Sequence, residues 1–265
     1  MIDGYDRVAD VGMKSWLKTE LHSHTIDDPK DGKSIVVHSA QQLIDKAEEQ
    51  GFQVLSITNH NQLLFSSSLE EYARERGNLL IPGVEATLEG KHVLLYNFLD
   101  YDDSWDNPEI VAQQKGPNQL VIAPHPFFPI PTALRNRVTR WNGLFDAIEY
   151  SQFYLSWLNF NHKAKELAQQ LDLPVVGNTD VHWLFQLGWT FSLVYAEQNT
   201  DSVLHAIKEG HVRLVTQPVS SFFIARWCGL NVLTQSQYAS QVALSVVKRR
   251  IRERFPSPQE GPHRD

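Results

Sequence analysis

Lys18-Thr19-Glu20-Leu21-His22-Ser23-His24-Thr25 sets two imidazoles two positions apart in a run with strand character. Successive side chains of an extended strand leave opposite faces, so His22 and His24 leave on the same side and can reach one ion. A His-x-His pair alone fits an ordinary surface or core pair equally well. Its weight comes from what stands further along: Asn59-His60, Gly83-Val84-Glu85, His92, Pro124-His125-Pro126 and Asp180-Val181-His182. Each lies at the end of, or within, a short apolar run.

Outward from Lys18 the chain alternates strand-like and helix-like segments. Ser39 can cap a helix whose Gln42 reaches back as in a capping box, with Leu43, Ile44 and Ala47 as its apolar face and Gly51 as its stop. Phe52 to Thr58 reads as a buried strand, Ser66 to Arg76 as a helix, and Leu79 to Val84 as a strand delivering Glu85. The turn Glu89-Gly90-Lys91 leads into a strand from His92 to Phe98. Pro108 to Gln114 is a short helix and Leu120 to Ala123 a strand. Phe127 to Trp141 is a proline-rich loop with arginines, long enough to serve as a lid or wall. Strands at Phe145 to Tyr150, Pro174 to Val176, Trp189 to Tyr195 and His211 to Val215, with helices at Leu158 to Leu171 and Ser202 to Glu209, complete the alternation. This pattern argues for a parallel α/β architecture, in which ligands gather at the carboxyl ends of the strands. His60, Glu85, His125, Asp180 and His182 fall at such ends, and His22 and His24 sit in or just after the first strand.

At 265 residues with 42% hydrophobic content the chain can bury a sizeable core, so a largely disordered protein is excluded. A formal net charge of -7 argues against a duplex-DNA binder. A single cysteine excludes an intrachain disulfide and a thiolate metal site, and mixed histidine and carboxylate ligands suit zinc, manganese or iron better than calcium. The acidic start lacks the regions of a secretory signal, and no apolar run has the roughly 18 residues of a membrane span. A cytoplasmic protein without a transmembrane segment is therefore expected. Residues 1–17 read as an N-terminal extension, 217–255 as a helical C-terminal extension with a basic end (Lys248 to Arg254), and 256–265 as a disordered tail. The basic helix is a candidate homodimer contact.

Taken together, Leu21-His22-Ser23-His24-Thr25, Ile57-Thr58-Asn59-His60-Asn61, Gly83-Val84-Glu85, Ala123-Pro124-His125-Pro126 and Asn178-Thr179-Asp180-Val181-His182 resemble, in order, the motifs of the PHP (polymerase and histidinol phosphatase) superfamily. The resemblance covers Lys18 to Thr216 and implies a distorted (β/α)7 barrel carrying two or three divalent ions. It implies one ion held by His22, His24, Glu85 and Asp180, a second by Glu85, His92 and His125, and a third by an acidic residue with His60 and His182. The acidic residue is Asp31, which Gly32 follows, or else Asp28; His38 is a further neighbour of the site. Asn59 and Asn178-Thr179 stand where the family usually has Asp and Gly-Ser, positions that orient ligands rather than supply them.

Such a site supports metal-assisted hydrolysis of a phosphoester, in which neighbouring ions make hydroxide available near neutral pH and clamp the attacking and leaving oxygens. The expected substrate is a small phosphorylated molecule, without a stable nucleic acid complex. Glu85, His125, Asp180 and Arg135 are the expected catalytic residues, with Arg135, Arg137 and Arg140 available to pair with phosphate. His162 is the one candidate for a general acid. Aromatic residues from Phe127 to Trp157 offer stacking surfaces for a nucleotide base. The competing readings are an exonuclease of the same superfamily and a metal-binding sensor or scaffold without catalysis.

Overall fold

A computed structural model describes residues 13–141 and 143–219. The chain divides into two compact units, Met1–Pro218 and Val219–Asp265, and all the strands and helices of the described residues belong to the first. The expected tail and basic helical extension beyond residue 219, and the first 12 residues, lie outside the described residues. In chain order the elements are β1 (Ser15–Glu20), α1 (Ala40–Glu49), β2 (Val54–Ile57), α2 (Ser67–Glu75), β3 (Leu79–Leu88), β4 (Lys91–Tyr96), α3 (Pro108–Gln114), β5 (Leu120–Ala123), α4 (Arg137–Arg140), β6 (Ala147–Ser151), α5 (Asn161–Leu171), β7 (Val175–Asn178), β8 (Thr190–Ala196), α6 (Thr200–Lys208) and β9 (Val212–Thr216). Strand β1 thus begins three residues before Lys18, inside the stretch read as an extension.

Local chemistry explains these boundaries. Ser39 accepts from the Gln42 N–H at 3.2 Å while Gln42 Oε1 accepts from the Ser39 N–H at 2.9 Å, closing the capping box before α1. Ser66, Asn107 and Asn199 cap α2, α3 and α6 by accepting from the Leu69, Ile110 and Ser202 N–H groups. Such a cap contributes about 1 kcal/mol. Strands β2 and β5 are buried along their whole length, as uninterrupted apolar runs covered on both faces must be.

The strands form one sheet in the order β7-β6-β5-β4-β3-β2-β1-β8-β9. Strands β1, β2 and β3 run parallel, as do β5, β6 and β7. Strand β4 is antiparallel to both β3 and β5, and β8 to both β1 and β9. Seven strands therefore point one way and two the other, so the sheet is mixed, a correction to the all-parallel reading. The reason at β4 is a two-residue hairpin: Glu89 and Gly90 both have positive φ, 45° and 72°, the signature of a tight turn that folds β4 straight back on β3.

The sheet curls until its ends meet. Ser192 on β8 accepts from the Gly177 N–H at 2.8 Å and donates to the Gly177 carbonyl at 3.1 Å, so a hydroxyl bridges β7 and β8. A Cβ at Gly177 would sit 2.3 Å from Leu214 Cδ1 and 3.0 Å from the Phe191 carbonyl oxygen, and only glycine permits this approach. The result is a nearly closed, barrel-like sheet with helices packed outside it. Among the described residues, no helix is long and apolar enough to cross a membrane.

Candidate metal centre

Two short pairings at the carboxyl ends of the strands fix the site before any side chain is considered. Ser23 and Val181 form a parallel bridge, with the Val181 N–H donating to the His22 carbonyl and the His24 N–H to the Val181 carbonyl, both at 3.0 Å. This locks the loop after β1 to the loop after β7. His60 and Glu85 form a second bridge, so the loop after β2 follows β3 in register. His125 and Asp180 follow β5 and β7 with φ of 29° and 58°, a left-handed backbone that non-glycine residues adopt only where the surroundings hold them.

These constraints bring the expected residues together. Glu85 Oε2 lies 3.0 Å from His60 Nε2, 3.4 Å from His24 Nε2 and 3.6 Å from His22 Nε2, while Oε1 lies 2.6 Å from His92 Nδ1 and 3.3 Å from His125 Nε2. Asp180 Oδ1 lies 3.2 Å from His24 Nε2 and 3.4 Å from His22 Nε2. His182 Nε2 meets Asp31 Oδ2 at 3.2 Å. Among the described residues, ligand atoms close enough to share an ion occur in four overlapping groups: His22, His24 and Asp180; His22, Glu85 and His125; His24, Asp28 and His60; and His60, Glu85 and His92.

Asp28 and Asp31 divide the work that the sequence left between them. Asp28 Oδ2 accepts from Nδ1 of His24 at 2.8 Å and from Nδ1 of His60 at 2.9 Å, standing behind both rings and turning their Nε2 atoms inward. Asp31 lines the cavity in front, with Lys30, His60, Glu85, His92, His125, Asp180 and His182. His38 is buried beside the site. Its burial, with the charges of His182 and His24, depresses its pKa to about 4, although a hydrogen bond to the His24 backbone opposes this.

The chemistry of this donor set fits divalent cations. His22 Nε2, His24 Nε2, His92 Nδ1, His125 Nδ1 and Asp180 Oδ1 are buried without a hydrogen-bond partner, a costly condition that a cation bound among them would relieve. His92 Nδ1 and Glu85 Oε1 are 2.6 Å apart yet are not aligned as a hydrogen bond. Electrostatics agree. Burial alone would raise the Glu85 carboxyl, but the charges of His92, His22 and His60 hold it well below its ordinary range. Burial alone would lower His24, but the carboxylates of Asp180, Asp28 and Glu85 beside it push it up to about 9. His22 is raised for similar reasons.

Other expected residues lie elsewhere. Arg135 is exposed and is absent from the cavity lining, because the loop buries Ala133, Leu134 and Val138 in the core and turns its arginines outward. Arg137 pairs with Glu89. The loop does supply a wall, through Ile130, Pro131 and Thr132. His162 is exposed on α5, beside a separate surface hollow. No Phe, Tyr or Trp is among the residues that line the cavity; Trp141 and Tyr150 are buried in the core.

Three residues of the site escaped the sequence. Glu149 on β6 is fully buried, with Oε1 2.9 Å from His22 Nδ1 and Oε2 accepting from the His125 N–H at 2.7 Å. Glu20 on β1 accepts from the His22 and Thr179 N–H groups, and its burial pushes its pKa up to about 8 against those hydrogen bonds. A charged residue inside an otherwise apolar run was the available signal for Glu149, whereas Glu20 follows Lys18 and Thr19 and carried no such signal. Lys30 Nζ enters the cavity, 3.2 Å from His60 Nε2.

Fold and site together define a barrel-like α/β protein with a buried centre of histidines and carboxylates at its strand ends. Residues 159–212, spanning α5 through α6 and including Asp180 and His182, match the family model described as PHP-associated. An uncharacterized protein of Methanocaldococcus jannaschii is 27% identical over 140 residues, 51% of this chain and 81% of that protein. The crystal structure of PsfC from Pseudomonas syringae PB-5123 superposes with a TM-score of 0.57 at 18% identity, covering 83% of this chain and 98% of that one. A proposed metal-dependent phosphoesterase from Bifidobacterium adolescentis superposes with a TM-score of 0.47 at 15% identity, over 64% of this chain and 89% of that one. The PHP-associated match falls within the stretch, Lys18 to Thr216, over which the five motifs resemble the PHP superfamily.

Proposed function

We propose that the chain is a metal-dependent phosphoesterase acting on a phosphate monoester or small phosphodiester. The observation that carries this reading is the ring of five imidazoles around Glu85, several of whose nitrogen atoms are buried without partners. Two or three divalent ions of zinc, manganese or iron would be held there. His22, His24, Glu85 and Asp180 would hold one, Glu85, His92 and His125 a second, and Asp31, His60 and His182 a third. Such ions supply Lewis acidity toward a phosphoryl oxygen and lower the pKa of water.

The chain's own residues fix where this chemistry takes place. Glu149 and Asp28 hold the rings of His22, His24 and His60 in a single orientation, so no reorganisation is needed when substrate enters. The cavity of about 340 Å³ is open on one side and suits a small substrate. The test is turnover of an aryl phosphate by protein stripped with a chelator and reloaded with manganese, zinc or iron. Hydrolysis that returns with metal supports the reading. Full metal content with no turnover of aryl phosphate, nucleoside monophosphates or short oligonucleotides would instead establish a sensor or scaffold.

A further inference from the structure

A phosphate substrate brings negative charge into a cavity already lined by Asp31, Glu85 and Asp180. With the arginines of the long loop turned away, Lys30 is the one lysine or arginine among the described residues lining that cavity. Its placement is built in. Asp28 Oδ1 accepts from the Lys30 N–H at 2.8 Å and the Asp31 N–H at 2.9 Å, while the other oxygen of the same carboxylate holds His24 and His60. One side chain thus fixes both the imidazoles and the stretch of backbone that carries the lysine.

The Lys30 ammonium stands 3.2 Å from His60 Nε2 and 3.4 Å from His92 Nε2. His60 Nδ1 faces a carboxylate oxygen of Asp28 at 2.9 Å, so Nε2 is the nitrogen that a cation in the cavity would meet. A divalent ion at His60 would bind that same nitrogen. Ion and ammonium cannot both have it, and the flexible four-carbon stem lets the ammonium move while the backbone stays put.

We infer that Lys30 is the residue that binds the phosphoryl anion of the substrate, passing from the imidazole to the anion when an ion takes His60. This rests on the phosphoesterase reading and narrows it to substrates that place a free phosphoryl group beside His60 and His92. The remainder of such a substrate would lie against the wall of Ile130, Pro131 and Thr132. A lysine suits this task as a mobile point charge, where a forked guanidinium would demand a fixed geometry.

The experiment is calorimetric binding of inorganic phosphate to the full-length protein loaded with manganese, for the wild type, Lys30→Gln and Lys30→Arg, with metal content measured on each sample. The expected result is phosphate binding at least tenfold weaker in Lys30→Gln at unchanged or higher metal content, with Lys30→Arg closer to the wild type. Equal phosphate affinity in Lys30→Gln and wild type overturns the inference. So does loss of metal from Lys30→Gln, which would make the lysine a support of the ion cluster. A metal-loaded wild type that binds no phosphate at all overturns the phosphoesterase reading itself, a separate outcome because it does not involve the variant.

Discussion

Glu149 stands directly behind His22, with its Oε1 2.9 Å from the Nδ1 atom of that ring and both groups fully buried. Oε1 also accepts from Asn178 Nδ2, and Oε2 accepts from the His125 N–H. One carboxylate therefore ties the loops after β1 and β5 to the end of β7. In Glu149→Gln the amide nitrogen can only donate, so one of these contacts must break. We expect metal affinity to fall by about 10- to 100-fold, as for loss of a carboxylate that orients a ligating histidine. Titration of apoprotein with zinc or manganese checks this, and an affinity equal to the wild type would remove Glu149 from the site's support.

Residues such as Glu149 show where the sequence stops being legible. Histidines and acids at strand ends announce themselves, because apolar runs mark the strands and the ends follow. The helix cap at Ser39 was legible for the same local reason. What a residue touches across the barrel is not local. Asp28 and Asp31 are equivalent in sequence and separate only when the loop folds, one behind the rings and one in front. The reversed direction of β4 was written in Glu89-Gly90, but the dominant alternation of strands and helices concealed it. Arg135 misled because charge complementarity with phosphate says nothing of which way a loop packs, and the apolar residues around it decide that.

Metal loading should release protons. The metal-free site holds His24 with a pKa raised to about 9, through Asp180, Asp28 and Glu85 acting against burial, so at pH 7 its imidazole is protonated. A ligand must be neutral, and an ion must displace that proton. The sign follows directly: apparent affinity rises with pH until the imidazole is deprotonated without help, near pH 9. For each proton displaced the gain is about tenfold per pH unit. Calorimetry in buffers of different ionisation enthalpy counts the protons. A binding constant flat from pH 6 to pH 8 would contradict this account of His24.

Gly177→Ala should weaken the closure of the sheet. The added carbon would meet Leu214 Cδ1 at 2.3 Å and the Phe191 carbonyl oxygen at 3.0 Å, so the Leu214 side chain must turn away and β7 must ease away from β8. Overpacking of this kind costs about 1–3 kcal/mol. Because Asn178, Thr179 and Asp180 follow directly, metal affinity should fall together with melting temperature. A variant with unchanged melting temperature would mean that the strands meet less tightly than these distances imply.

Glu85→Gln and Arg135→Ala separate the centre of the site from its surroundings. Glu85 is 1% exposed and both of its oxygens face imidazole nitrogens, five rings in all. Its charge, which the surrounding imidazoles hold in place in the metal-free state, would become the shared anionic ligand once ions are bound. An amide of the same shape lacks the charge and can offer one acceptor, not two. Glu85→Gln should therefore lose bound metal and lower turnover by at least about 100-fold. Arg135→Ala removes an exposed side chain outside the cavity lining and should leave kcat and KM for an aryl phosphate within about twofold, as surface changes away from such features usually do. The two results are linked by geometry. If Arg135→Ala instead raised KM tenfold while Glu85→Gln kept its metal, substrate would be binding over the outer face of the loop and the imidazole ring around Glu85 would not be the reaction centre.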